Sequence, residues 1–270
     1  MERNAMFPGF TLFGKFISSY VLCTVAGIFT ACPLAIARCK KRGGDDISMI
    51  FVLLFGGVGV LVGMHLLYGI TNIAYWGEIF KAKDFIDFCK RVGVVFGGGV
   101  FYGGLIGGLV AGGISIKVQK LDAALYCDCA AFAIPLFHMF GRIGCFLGGC
   151  CYGKESEYGV MFTNSLVESA NGVTRVPVQL YEAAFNLALF ALLFILERKG
   201  ALKGRLLALY LLTYPVGRFI LEFWRGDEYR GYVFGLSTSQ FISIILFAGA
   251  ALYFIFAPKR ASAQERTSND

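Results

Sequence analysis

Charge is scarce in this chain. Only 16% of its 270 residues are Asp, Glu, Lys or Arg, against about a quarter in an ordinary soluble domain. With 57% hydrophobic content, that shortage excludes a water-soluble globular fold. A large excess of one sign is missing too. The net charge is +7, and the basic residues sit in short clusters between apolar blocks, so nucleic acid is not an expected partner. Zinc-type spacing is absent: Cys127-x-Cys129 and Cys145-x4-Cys150-Cys151 follow none of the usual patterns, and Cys23, Cys32, Cys127 and Cys129 lie in apolar segments where cysteine acts as a small hydrophobe. No metal or other cofactor is expected. No cleavable leader is expected either. Phe29-Thr30-Ala31-Cys32 loosely resembles a lipoprotein cleavage box, but apolar character resumes after Cys32 and a basic run follows, so the first segment stays as an anchor.

What the chain does have is apolar blocks of about twenty residues, the length of membrane-spanning helices. Seven are expected, at 16–37, 47–70, 92–118, 123–147, 178–196, 205–224 and 236–257. The fold class is therefore all-α, a polytopic membrane protein, with 1–258 as a single integral membrane domain and 259–270 as a polar cytoplasmic tail. Between the second and third spans, Tyr75, Trp76 and Phe80 suit an interface, and a short amphipathic helix is expected over about 80–90. Pro135 interrupts the fourth span, and 151–176 reads as a polar loop.

Seven spans put the termini on opposite sides. The loops after spans one, three and five, with the tail and the span-end residues Lys117 and Arg205, hold thirteen of the 25 Lys/Arg. The other side holds ten once Arg142 and Arg218 are set aside as buried. The thirteen lie in short loops, where the positive-inside rule has most force, so the N-terminus is expected outside and the C-terminus in the cytoplasm.

The chemistry concentrates in 138–153, which holds His138, Arg142, three cysteines and five glycines. An arginine at lipid depth costs about 2.5–3.5 kcal/mol on insertion scales, so it faces the protein interior and an anionic partner. Glycines let the backbone bend and let a ligand approach. His138 and Arg142 are four apart and share a helix face if the helix persists past Pro135. Arg218 and Glu222 share the same spacing, and Glu182 opens the fifth span. Arginine's planar fork matches a phosphate bidentately and stays charged. The plain reading is a set of structural ion pairs between spans, with Arg142 snorkelling to the headgroups. The functional reading is an outer-leaflet site for an anionic lipid phosphate. The glycine rows Gly99, Gly103, Gly107 and Gly104, Gly108, Gly112 permit close helix packing, but that does not explain Tyr102 between them.

These residues carry a resemblance. Gly141-Arg142-x-Gly144-Cys145-Phe146-x-x-Gly149-x-x-x-Gly153 is similar to the signature of the prolipoprotein diacylglyceryl transferase family, Gly-Arg-x-Gly-Asn-Phe-x-Asn-Gly-Glu-x-x-Gly. Tyr102-Gly103-Gly104-x-x-Gly107 resembles its His-Gly-Gly-x-x-Gly element. Pro177-x-Gln179-Leu180-Tyr181-Glu182-Ala183 and Arg218-Phe219-x-x-Glu222-Phe223-x-Arg225 resemble two further segments, and Tyr20 with Gly27 weakly matches a first-span Tyr-Gly element. The four stronger matches occur in family order across most of the chain.

The resemblance implies transfer of a diacylglyceryl group from phosphatidylglycerol to the lipobox cysteine of a preprolipoprotein, in the bacterial cell membrane. The partners implied are phosphatidylglycerol, the preprolipoprotein signal peptide and membrane lipid. Carried across, Arg142 and Arg218 bind phosphate, Glu182 and Glu222 orient them, and Gly144, Gly149 and Gly153 shape the pocket. Tyr20, Gly103, Gly104 and His138 join the substrate-binding set, and Tyr102 joins the arginines as catalytic. Three departures stand out: Tyr102 replaces the family histidine, Cys145 the asparagine and Cys150 the glutamate. A phenol with a pKa near 10 is mostly a donor at neutral pH, so the base is left open, and His138 is one source of an imidazole. The alternatives are a paralogous transferase with another lipid donor or acceptor, a transporter or flippase, and a thiol redox enzyme using Cys145, Cys150 and Cys151. Buried Arg/Glu pairs also build translocation paths, although the two halves show no internal repeat.

Overall fold

The computed structural model describes residues 6–226 and 232–256. The expected polar tail at 259–270 lies outside the described residues. The chain opens on an antiparallel hairpin, β1 Gly9–Leu12 and β2 Lys15–Ser18. Ser18 caps α1 Ser19–Lys41 by accepting from Tyr20 N at 3.2 Å. Asp45 caps α2 Asp46–Thr71 in the same way, accepting from Ser48 N at 2.6 Å. There follow α3 Trp76–Ile79, α4 Phe85–Phe96, α5 Phe101–Val118, α6 Ala123–Ala131 and α7 Ala133–Gly148. Beyond them come the hairpin β3 Glu155–Phe162 with β4 Val173–Arg175, then α8 Val178–Arg198 and α9 Leu206–Leu221, the small hairpin β5 Tyr232–Val233 with β6 Leu236–Ser237, and α10 Thr238–Phe256.

Among the described residues, seven segments are long and apolar enough to cross a membrane, with α6 and α7 forming one of them. Among the described residues the strands make only two-stranded hairpins. The chain is an all-α polytopic membrane protein, as its apolar blocks require. Large apolar side chains such as Phe29, Phe55, Leu61, Val110 and Phe247 stay exposed on the spans, where lipid takes the place of a core.

Two compact units divide the chain, one of residues 1–42 and 127–270, the other of residues 43–126. In the second, α2 and α5 meet through glycine. A Cβ at Gly59 would strike the Gly107 carbonyl, and one at Gly63 would strike the Gly103 carbonyl. Close backbone approach, not chain flexibility, explains these residues.

The third span begins later than its composition implies. The amphipathic helix α4 starts at Phe85, where Asp84 accepts from Asp87 N at 2.7 Å, and runs through Phe96. The chain then breaks over 97–100 before α5. A run of Gly97, Gly98 and Gly99 disfavours helix, and α2 satisfies the opened backbone. His65 Nδ1 lies 2.8 Å from both the Phe96 and Gly98 carbonyls, and Val100 N donates to Met64 O at 3.1 Å.

In the first unit the break expected at Pro135 falls between α6 and α7, at Phe132. Proline has no N–H for the carbonyl four residues back, and its ring crowds that carbonyl. At one end of this unit, ion pairs tie the helix ends together. Arg38 Nε donates to Glu197 Oε2 at 2.7 Å, and Arg42 Nη1 lies 3.7 Å from Asp128 Oδ2. Asp128 also accepts from Gly204 N at 2.7 Å and Leu206 N at 3.1 Å, so it caps α9. At the other end, residues 151–176 form a small head. Phe162, Tyr152, Met6 and Ala170 make its core, and the Arg175 guanidinium stacks 4.5 Å over Tyr152.

Candidate active site

Glu182 stands at the centre. It lies one turn into α8 and is 1% exposed, so its charge survives only with partners. Arg142 Nε is 3.1 Å from Glu182 Oε2, and Arg218 Nε is 4.0 Å from Oε1. Tyr214 Oη donates to Oε1 at 3.0 Å, and His138 Nε2 is 3.6 Å from the same oxygen. The Arg142 Nε–H points at His138 Nε2, 3.1 Å away. A ring nitrogen that accepts from a guanidinium is unprotonated, so His138 carries its proton on Nδ1 in this arrangement. Its ring meets Tyr214 edge-on at 5.3 Å. Asn186, one turn after Glu182, donates to the Glu182 carbonyl at 2.8 Å.

Arg218 reaches Glu222 one turn later, with Nη2 2.7 Å from Oε2 and 3.3 Å from Ser239 Oγ. Its Nη1 is buried and has no hydrogen-bond partner among the described residues. A buried charged donor left unsatisfied costs at least about 1–3 kcal/mol, so this nitrogen calls for an acceptor beyond the described residues. Both arginines thus turn their Nε edge toward Glu182.

Helix geometry makes this convergence. His138 and Arg142 share a face of α7, as expected. Gly144, two residues after Arg142, lets α1 in: a Cβ there would sit 3.0 Å from Tyr20 Cα. That contact places Tyr20 beside the site at the start of α1. Gly149 ends α7 in the left-handed conformation, φ 73°, and a Cβ on it would strike Ser165. Gly153 bridges to Arg225, and a Cβ there would strike the Val176 carbonyl and come 2.9 Å from the Trp224 carbonyl. These three glycines shape the chain around the arginines.

Tyr102, Gly103 and Gly104 belong to the other compact unit. Tyr102 is buried in the first turn of α5. Gly103 packs against the Gly63 carbonyl, and Gly104 faces Val60, which gives both a packing role within that unit.

With this geometry in hand, the comparisons are informative. A family model described as prolipoprotein diacylglyceryl transferase matches residues 9–256. The chain belongs to this family. A relative from Clostridium tetani, named phosphatidylglycerol–prolipoprotein diacylglyceryl transferase, is 39% identical over 237 residues, covering 87% of this chain and 91% of its own. A second enzyme of that name from Clostridium perfringens is 33% identical over 90% of this chain and 92% of its own. A third from Campylobacter curvus is 32% identical and covers 93% of each.

Against the transferase family pattern, the residues that sequence reasoning missed are Tyr214, Asn186 and Gln179. Tyr214 precedes Arg218 by four and Asn186 follows Glu182 by four, so helical spacing was the available signal. Gln179 Nε2 donates to the Cys150 carbonyl at 2.7 Å and holds the chain after α7. There Cys145, Cys150 and Cys151 come together, all three sulfurs within 4.8 Å of one another. Beyond the span, the Cys151 thiol is held well below its usual range by contacts from the Cys145 and Cys150 thiols, assisted by Arg225. Cys150 moves the other way: Cys145 pulls it down, but Cys151 and burial outweigh that and push it up to about 12.

Proposed function

We propose that this protein transfers the diacylglyceryl group of phosphatidylglycerol to the lipobox cysteine thiol of a preprolipoprotein signal peptide, in the bacterial cell membrane. The observation that supports the reading is the pair of buried guanidiniums on Glu182, with Arg218 Nη1 lacking an acceptor among the described residues. The names of the family relatives agree with it.

The thiolate sulfur attacks the glyceryl carbon that bears the phosphate. A carbon–sulfur bond forms, the carbon–oxygen bond breaks, and glycerol phosphate leaves with the electron pair. Charge grows on the departing phosphate. Preplaced donors in a dry site stabilise that growth more than they stabilise the bound lipid. Arg142 and Arg218 supply those donors, while Glu182 and Glu222 fix their planes. Gly144, Gly149 and Gly153 shape the pocket, and Tyr20, His138, Gly103 and Gly104 border the substrates. The thiol proton leaves to the departing phosphate or to a neighbouring base.

The direct test supplies purified protein with phosphatidylglycerol labelled in its diacylglycerol and with a lipobox peptide. Label appears on the peptide cysteine. Label that crosses or rearranges in the bilayer without peptide product would favour the flippase reading instead.

Tyr102 acts as a hydrogen-bond donor to the phosphate or glycerol oxygen. Tyr102→Phe then slows transfer about tenfold to a hundredfold, about 1.4–2.7 kcal/mol, and Tyr102→His restores part or all of the rate. A silent phenylalanine with an inactivating histidine would reduce Tyr102 to packing against α2.

The orientation follows from the basic loops, with the N-terminus outside and the C-terminus cytoplasmic. A topology reporter fused after Asp270 is active only in its cytoplasmic form. Activity in its external form would reverse this assignment.

A further inference from the structure

We propose that Cys145, Cys150 and Cys151 form a three-thiolate site for a thiophilic divalent cation of the zinc class, set beside Arg142. The site follows from the thiol geometry.

In sequence these cysteines match no zinc pattern, yet the fold brings them together. Cys145 lies three residues after Arg142, on the last turn of α7. Beyond it the chain doubles back through two left-handed residues, Gly149 at φ 73° and Cys151 at φ 60°. A non-glycine residue in that region is costly and is held there by its surroundings. Cys150 N donates to the Cys145 carbonyl at 3.1 Å, and Gln179 fixes the Cys150 carbonyl. The result sets the three sulfurs within 4.8 Å of one another.

Zinc–sulfur bonds of about 2.3 Å in a tetrahedron put sulfurs about 3.8 Å apart. The shift required is about 1 Å, within reach of side-chain rotation. Three soft thiolates select zinc-class or softer ions over magnesium and calcium. All three are free thiols, Cys145 is buried, and Cys150 and Cys151 are half-buried, so entry is from their side. The C-terminal end of α7 also carries partial negative charge that favours a cation.

Each cysteine binds as the thiolate, so the thiol protons the cluster still holds pass to the buffer as one divalent cation enters. Three thiolates and the cation leave a net charge of −1, and Cys145 and Cys151 both lie within electrostatic range of the Arg142 guanidinium.

Cadmium titration of the full-length protein in detergent, under a non-thiol reductant, tests the site through the ultraviolet thiolate-to-cadmium band. One equivalent saturates the wild type, and zinc competes for it. Each single serine variant at Cys145, Cys150 or Cys151 weakens binding at least about tenfold, the low end of the loss seen for outer-shell partners of a metal. The triple serine variant abolishes the band while its thermal unfolding stays cooperative. A Cys39→Ser/Cys129→Ser control binds as the wild type does. No band in the wild type, or a band that survives the triple variant, overturns the site.

Discussion

Arg142→Lys lowers transfer by about a hundredfold to a thousandfold, the loss of about 2.7–4 kcal/mol that follows removal of one oxyanion donor. Lysine keeps the charge, so a purely electrostatic role would survive the change. It cannot keep the planar fork, and here the fork does two jobs at once. The Nε edge meets His138 and Glu182, while in the proposed reaction the terminal nitrogens hold the phosphate. An ammonium that stays with Glu182 abandons the phosphate, and one that reaches the phosphate strands a buried carboxylate. Single-turnover rates on labelled phosphatidylglycerol separate the two possibilities. Transfer at the wild-type rate would make Arg142 a membrane anchor and nothing more.

Glu182→Gln is the second large effect, and it acts on the framework as well as the rate. The amide keeps the shape and still accepts from Tyr214, but it removes the negative charge at 3.1 Å from Arg142 and 4.0 Å from Arg218. Breaking a buried ion pair from one side costs about 3–5 kcal/mol, because the remaining charge stays in a poor solvent. Among the described residues, Arg218 then keeps Glu222. Thermal unfolding in detergent drops, and transfer falls more than about a hundredfold, since a loss above about 2.7 kcal/mol is a hundredfold in rate. Glu222→Gln, which deprives Arg218 alone, has the smaller effect of the two. A Glu182→Gln enzyme within threefold of wild type would remove the centre of the proposed site.

Much of this site was legible before the fold, and for a physical reason. Charge in an apolar span is expensive, so His138, Arg142, Glu182, Arg218 and Glu222 announced themselves by their surroundings. Tyr214 did not, because a tyrosine in an apolar helix reads as core until its hydroxyl is seen on Glu182. Asn186 and Gln179 were hidden in the same way, each exerting its effect through one hydrogen bond. The seven spans followed from length alone. The late start of α5 did not, since it depends on His65 and Val100 finding partners for the broken backbone. The hairpin of residues 155–175 was masked by its polar composition, its apolar core being only a few residues. The meeting of the three thiols rests on two left-handed residues after a helix end, and spacing along the chain does not encode that turn.

Because Arg142 keeps Glu182 and Arg218 keeps Glu222, the four side chains together carry no net charge. Two bare arginines would grip a departing glycerol phosphate with the full attraction of a double cation in a weakly screening environment, and the product would leave slowly. With each cation already balanced, long-range attraction is nearly cancelled, and what remains is short-range and directional. Such donors act on charge while it forms within hydrogen-bond reach and lose their hold once the oxygen moves away. The carboxylates therefore do more than aim the arginines. They let the site release what it has just stabilised, which is a condition for a second turnover.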